Sequence, residues 1–369
     1  VNTNEKQLWQ EFGRMMNLYK NSHQLAQELI TQLSPAWGVS GYEHSLKPIL
    51  KDIFIKFPVE ITDDFRGNFY IRKDGSQNKQ TVMLAAHQDE IGLMVKYIDG
   101  LGLVHFSNVG GIDQRTLLNQ EVIIHARQNI RGIISLLAQE KATPSKRSFL
   151  PEELVIDTGY SLEKATQLIK PGDIVSIVRQ PITLLNQRIA GKAMDDRAGI
   201  AVMAVCLNEL TRIEHKHRVV AVATVQEEVG LRGAVTGTDR LQPEIAVAID
   251  VTHAQTPDSK AQVNHDLGKG PVLALGPNIH PKIFEGLQAA AQENRLPYQI
   301  EPAAGPTGTD ARVIQLTGEG IPTGLVSIPL RYMHTSVETI SLSDVVDSGK
   351  LLAYYIASLP EDLEELSCF

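Results

Sequence analysis

The chain has 369 residues, enough for two domains or one domain carrying an insert, and its 43% hydrophobic and 21% charged residues can bury a sizeable core, which excludes wholesale disorder. Lys plus Arg total 35 against 43 Asp plus Glu, and the net charge of −8 makes bulk-charge binding to nucleic acid or an anionic membrane a poor fit. The two cysteines exclude a disulfide framework or a thiolate zinc site: Cys206 sits in an apolar run and Cys368 one residue from the end. No apolar stretch approaches a membrane span. The opening VNTNEKQLWQ does not read as a secretory signal, so a cytoplasmic location with no nucleic-acid or membrane partner is expected.

Leu8, Phe12, Met15 and Tyr19, then Leu25, Leu29 and Leu33, recur at helical spacing and predict two amphipathic helices with a break near Asn21. Residues 37–46 read as a Gly-punctuated turn opening a helix that runs to about Phe54. Val82–Ala86 is a short apolar strand that stops at His87-Gln88-Asp89-Glu90. From about Ile91 to Gln187 the pattern changes. Short alternating segments such as Glu121–Ala126 and Ile130–Leu136 are separated by Gly and Pro turns, with one helix near Ser161–Ile169. This is the signature of a small β-rich insert. Beyond it, apolar strands at Arg218–Val225, Ile245–Ile249 and Thr323–Ile328 alternate with helices near Asp196–Leu210, Pro281–Glu293, Asp310–Thr317 and Leu342–Ala357. Strands apolar on both faces suit a central sheet covered by helices. The fold expected is α/β, a mixed central sheet flanked by helices, discontinuous over 1–90 and 188–369, with the β-rich insert at 91–187.

The carboxyl ends of these strands carry residues of metal-ligand type: His87 and Asp89, Glu227-Glu228, Asp250 and His334. Asp195-Asp196 opens a helix among them. Open α/β sheets place their sites at this end. Adjacent acids are common elsewhere in the chain, at 63–64, 152–153 and 364–365, so no single pair is informative. Joint placement is. Clustered buried acids cannot all stay ionised without cations, and mixed His and carboxylate ligands suit Zn²⁺, Co²⁺ or Mn²⁺. The count exceeds what one catalytic metal needs and fits two metals sharing a carboxylate, a water activated between them, and a nearby carboxylate as proton carrier. His215 and His217 read as solvated. His253 and His265 stand at no clear strand end.

The sequence resembles the tetrahedral aminopeptidases, a family of dinuclear metallo-exopeptidases. The stretches that carry the resemblance include GVSGYE (38–43), HQDEIGLMV (87–95), NVGGID (108–113), GKAMDDRAG (191–199), QEEVGLRGA (226–234), DVTHA (250–254), TGTDA (307–311) and IPLRYMHTSVE (328–338). The resemblance implies a metal-dependent aminopeptidase that releases N-terminal residues from peptides through a hydroxide shared by two divalent ions, zinc or cobalt, with manganese possible. It implies His87, Asp195 and Asp250 on one ion, and Asp195, Glu228 and His334 on the other. Glu227 becomes the general acid/base, Asp89 the residue that orients His87, and Asp196 a support for the Asp195 loop. Asp310 falls on the substrate-facing loop. The insert becomes a dimerisation domain, and dimers build a twelve-subunit tetrahedral shell.

A deacylase or amidohydrolase using the same site is the main alternative. A glycosidase based on Glu227 and Glu228 is disfavoured, because neighbouring residues at a strand end are expected to point apart and only 5% of residues are aromatic. A scaffold with structural acids is disfavoured by the complete ligand set. Arg197, Arg232 and Arg331 lie near the motifs and are expected to pair with the site's own carboxylates more readily than with an acidic substrate.

Overall fold

A computed structural model describes residues 21–137, 151–256, 259 and 265–366. The helix predicted around Leu8–Tyr19 and Cys368 lie outside the described residues.

Helix α1 (Ser22–Leu33) starts where the Asn21 side chain accepts the His23 amide, and it buries Leu25, Leu29 and Leu33. A turn leads to α2 (Lys47–Phe54). Strands β1 (Glu60–Asp63), β2 (Phe69–Lys73) and β3 (Thr81–His87) follow. The chain then enters a closed six-stranded barrel made of β4 (Gly92–Ile98), β5 (Val104–Val109), β6 (Glu121–His125), β7 (Asn129–Leu136), β8 (Leu154–Asp157) and β9 (Ile174–Ile177). Helix α3 (Leu162–Leu168) is capped by Ser161 and sits between β8 and β9. The barrel has its own core, with Leu93, Val122, Ile134 and Ile156 fully buried.

Strands β10 (Ile182–Leu184) and β11 (Arg188–Gly191) leave the barrel and pair with β17 (Glu338–Ser341) in a separate three-stranded sheet. The remaining elements are α4 (Met194–Glu209), β12 (Arg218–Thr224), α5 (Arg232–Leu241), β13 (Ile245–His253), β14 (Val272–Leu275), α6 (Pro281–Glu293), β15 (Gln299–Pro302), α7 (Ala311–Ile314), β16 (Thr323–Leu330) and α8 (Leu342–Ser358).

The main sheet has eight strands in the order β1-β2-β12-β3-β13-β16-β14-β15. Its centre, β12-β3-β13-β16, is parallel and lies between antiparallel neighbours, β2 and β14. Every residue of β3 and β16 is buried, as a strand covered on both faces requires. Helix α4 packs against α1, α8 and the sheet, while α5 and α7 pack together against β12, β13 and β16. The outer strands β1, β2, β14 and β15 are not among the elements expected from the sequence. Three of them are only four residues long, too short for an alternation to register. Among the described residues, no helix is long and apolar enough to cross a membrane.

His215 and His217 are buried, contrary to the expectation from their turn position. The turn is covered by the chain end, and His217 Nε2 lies 2.7 Å from the Pro360 carbonyl oxygen.

One buried amide ties this frame to the strand ends. Asn68 is fully buried; its Oδ1 accepts the Val225 amide at 3.1 Å and its Nδ2 donates to the Gly233 carbonyl at 3.0 Å. It therefore holds both ends of the turn that carries Glu227 and Glu228. Asn68→Ala strands these backbone groups and is expected to lower unfolding free energy by about 2–3 kcal/mol. Urea denaturation checks this; a loss below about 0.5 kcal/mol would mean the turn holds without it.

Candidate active site

The parallel register brings the ends of β3, β12, β13 and β16 to one rim of the sheet. His87 ends β3 opposite Thr224 of β12, and Asp250 of β13 lies opposite Ser327 of β16. The α4 start adds Asp195 and Asp196, joined by a cis peptide bond. The turn after β12 adds Glu227 and Glu228, and the turn after β16 adds His334. Positive φ angles cluster at these turns, at Ala193, Gln226 and His334, where side chains are aimed against ordinary backbone preference.

Three groups of ligand-type atoms lie within 4.8 Å of one another: His87 with Glu227 and Glu228, His87 with Asp196 and Asp250, and Asp195 with Glu228 and His334. Asp195 reaches both ends of the cluster. Its Oδ1 is 2.9 Å from His87 Nε2, and its Oδ2 is 3.3 Å from His334 Nε2. His334 Nε2 is also 3.3 Å from Glu228 Oε1. All the predicted ligands, His87, Asp195, Glu228, Asp250 and His334, thus meet in one place. The grouping adds Asp196 beside His87 and Asp250, where the resemblance put Asp195. Asp196 accepts the Gly199 amide through one oxygen at 3.0 Å, and its other, buried oxygen has no partner. Glu227 and Glu228 converge on His87 instead of pointing apart, because the turn after β12 is no longer extended.

The electrostatics are those of buried acids crowded around two imidazoles. Burial, with Asp195 nearby, pushes Asp250 well above the carboxylate range despite His87. Burial, with Asp250 and Asp195 as neighbours, does the same to Asp196. Glu227 is pushed up to about 10 by burial and by Asp250, Asp310 and Glu228, against the pull of His87. Asp195 moves the other way: hydrogen bonds from His334 and His87 outweigh its burial and hold it well below the usual value. Hydrogen bonds to Asp195 and Glu228 push His334 up to about 11. The orphaned Asp196 oxygen and the thiolate-free mixture of imidazoles and carboxylates fit divalent cations.

A second ring of residues fixes the first. Asp89, fully buried, accepts the Glu227 amide at 3.0 Å, the Glu228 amide at 3.2 Å and the Ser40 hydroxyl at 2.5 Å. Its carboxylate stands 3.6 Å from His87 Nδ1, and its backbone carbonyl, at 3.2 Å, is the closer partner of that ring. This leaves Nε2 facing the acids. Asp89 therefore holds the glutamate turn more directly than it orients His87. Glu43 accepts the Gln226 amide at 3.0 Å. Glu338 accepts the Asp195 amide at 3.2 Å and the His334 amide at 2.8 Å. Ser40, Glu43 and Glu338 were not singled out from the sequence, although each lies inside a quoted motif, GVSGYE or IPLRYMHTSVE.

The barrel also reaches the site. A Cβ on Gly111, in the NVGGID turn after β5, would lie 3.2 Å from His334 Nδ1, and one on Gly110 would lie 3.4 Å from Glu228 Oε2. The first contact is tight enough that His334 would have to give way slightly, and Gly110, with a φ of +80°, is strained for any side chain.

Asp195, Glu227, Glu228, Asp250 and His334 open onto a cavity of about 420 Å³. Asp310, expected to face substrate, is buried instead. Its Oδ2 accepts the Thr224 hydroxyl at 2.6 Å, and burial pushes its carboxyl up to about 6. The short α7 turns Asp310 inward, and its neighbours Thr307 and Thr309 line the cavity. Arg197 is fully buried and donates to the Leu33 carbonyl, and Arg331 donates to the Gln255 carbonyl.

Fold and site together define an α/β metal-dependent hydrolase. Comparison with known proteins narrows this class. The family model of the M42 glutamyl aminopeptidases matches residues 67–351. The chain is 36% identical over 331 residues to the lysyl aminopeptidase of Pyrococcus furiosus, covering 88% of this chain and 94% of that one. The aminopeptidase of the archaeon Desulfurococcus kamchatkensis superposes with a TM-score of 0.85 at 35% identity, covering 92% of this chain and 96% of its own. The TET1 peptidase of Pyrococcus horikoshii gives 0.78 at 29% identity, covering 90% and 100%. The chain belongs to the M42 peptidase family, and it is a metal-dependent aminopeptidase.

Glu227, at about 10, and His334, at about 11, carry protons at neutral pH, and a cation entering the cluster must displace them. Affinity for Zn²⁺ or Co²⁺ therefore falls as pH drops, and binding at pH 7 should release about one proton or more per cation. Titration calorimetry in buffers of different ionisation enthalpy measures this; no net release would contradict the protonation described.

Proposed function

We propose that the site holds two divalent ions and that the chain removes N-terminal residues from peptides by a proton relay through Glu227. The carrying observation is Asp195: one carboxylate whose two oxygens lie 2.9 Å from His87 and 3.3 Å from His334. A bridging ligand between two ions needs that span. His87, Asp195 and Asp250 would hold one ion, and Asp195, Glu228 and His334 the other, with Asp196 as a further acid beside the first. Two such ions, zinc or cobalt with manganese as a third choice, would lower the pKa of a shared water and polarise the scissile carbonyl.

The chain's own part is positioning and proton transfer. Glu227 takes the proton of the attacking water and delivers it to the leaving amine. Asp89 keeps Glu227 and Glu228 in place through their amides, and Glu338 does the same for Asp195 and His334. Cations in the cluster favour the ionised form of Glu227, which a base requires.

The barrel at 91–187 is proposed as the dimerisation domain, and 1–90 with 188–369 as the catalytic one. Its closed strand order and separate core support an independent unit. Dimers would build a twelve-subunit homo-oligomer; the Pyrococcus horikoshii TET1 peptidase is described as assembling into a tetrahedron or a large octahedral shell.

Glu227→Gln should cut kcat by about 10³-fold or more while metal content measured by atomic emission stays near wild type. Retained turnover refutes the relay. A peptide with an acetylated N-terminus should be inert where its free counterpart is cleaved; equal cleavage indicates an amidohydrolase instead. Asp195→Ala should lose both ions, whereas Asp250→Ala should leave one site occupied. Two ions retained in the Asp195 variant would remove the bridge.

A further inference from the structure

The cavity extends well beyond the acids that face the metals. The register fixes what lies on its floor. Asp250 pairs with Ser327, Ser327 with Val272, and Ala274 with Glu301. Paired residues share a face and residues two apart return to it, so Asp250, Ser327, Leu325, Ala274 and Glu301 lie on one face of the sheet. All five line the cavity. The surface running out from the catalytic rim is therefore small and apolar at Ala274 and Leu325 and ends at a carboxylate. Glu301 is half-buried and is held by the Thr252 hydroxyl, which donates to its Oε2 at 3.0 Å. Among the described residues, no Lys or Arg lines this cavity. Arg331, the nearby arginine of the last motif, is turned to the Gln255 carbonyl at 2.7 Å.

We infer that this outer part of the cavity receives the side chain of the substrate's N-terminal residue, and that Glu301 selects a cationic one, lysine or arginine, against an acidic one. This rests on the aminopeptidase reading and adds the substrate class to it. Lysine matches the lining in two parts: its methylene stem lies along Leu325 and Ala274, and its ammonium meets Glu301. A glutamate in the same place sets two carboxylates against each other, with no Lys or Arg among the described lining residues to pair with either. A leucine fits the apolar floor but leaves Glu301 with Thr252 alone.

The test uses the metal-loaded full chain with lysyl-, arginyl-, leucyl- and glutamyl-p-nitroanilide. Wild type should favour lysyl and arginyl over glutamyl by about a hundredfold or more in kcat/KM. Glu301→Gln should lower the lysyl-to-leucyl ratio about tenfold or more, and Glu301→Lys should reverse the lysyl-to-glutamyl preference. Each ratio is taken within one preparation, so the folded fraction cancels. Calorimetry should show lysinamide binding tighter than norleucinamide to wild type, with the difference lost in Glu301→Gln. Cleavage of the leucyl substrate with no charge preference, or with ratios that Glu301→Gln leaves unchanged, overturns this inference alone. Cleavage of none of the four overturns the parent reading and this one with it.

Discussion

The structure turns on a group of acids that cannot coexist in water-poor surroundings without positive charge between them. Asp195, Asp196, Glu227 and Asp250 are buried, and Glu228 stands beside them with two imidazoles. The repulsion shows unevenly: His334 and His87 hold Asp195 below the carboxylate range against its burial, while burial and neighbouring acids raise Asp250, Asp196 and Glu227. Divalent ions bound among them would supply countercharge. The same low-dielectric burial that makes these acids costly to ionise together would make such ions strongly polarising.

Holding such a cluster open requires rigid scaffolding, and the chain supplies it through backbone amides. Asp89 takes the amides of Glu227 and Glu228, Glu43 takes that of Gln226, and Glu338 takes those of Asp195 and His334. A carboxylate bound to a backbone amide fixes where the next side chain starts, so Asp89 and Glu338 set the aim of Glu227, Glu228, Asp195 and His334, and Glu43 fixes the turn at Gln226. The outward pull on the turns shows in the positive φ angles at Ala193, Gln226 and His334. These turns are specified by bonds from distant segments, which is why residues as far apart as Ser40 and Glu338 belong to one site.

The central strands were legible in the sequence because their burial on both faces leaves continuous apolar runs, and a run that stops at His87, at Glu227 or at Asp250 announces a strand end with chemistry on it. The barrel was legible as a change of texture, from long runs to short alternations between Gly and Pro turns. What escaped was whatever depends on another segment. The short edge strands β14 and β15 carry the outer wall of the cavity, yet they have too few residues to show a period. Asp310 sits in a motif beside cavity-lining threonines, and only the packing of α7 on α5, β13 and β16 turns it toward Thr224. The divergence expected of Glu227 and Glu228 assumed that the strand continued through them; the turn that begins at Gln226 removes that assumption.

The barrel and the sheet have separate cores, but the site does not respect that division. The NVGGID turn lays Gly110 and Gly111 beside Glu228 and His334; a Cβ on Gly111 would stand 3.2 Å from His334 Nδ1, and a Cβ on Gly110 would stand 2.8 Å from Ile91. Trp37, after α1, stacks on His125 of β6 at 3.8 Å between ring centroids, and Lys192, which donates to the Ala36 carbonyl, forms a buried ion pair with Glu90. The barrel therefore meets the rest of the chain both at the acid cluster and at Trp37. A turn packed this closely on Glu228 and His334 limits where their side chains can move, so the barrel contributes to the geometry of the site.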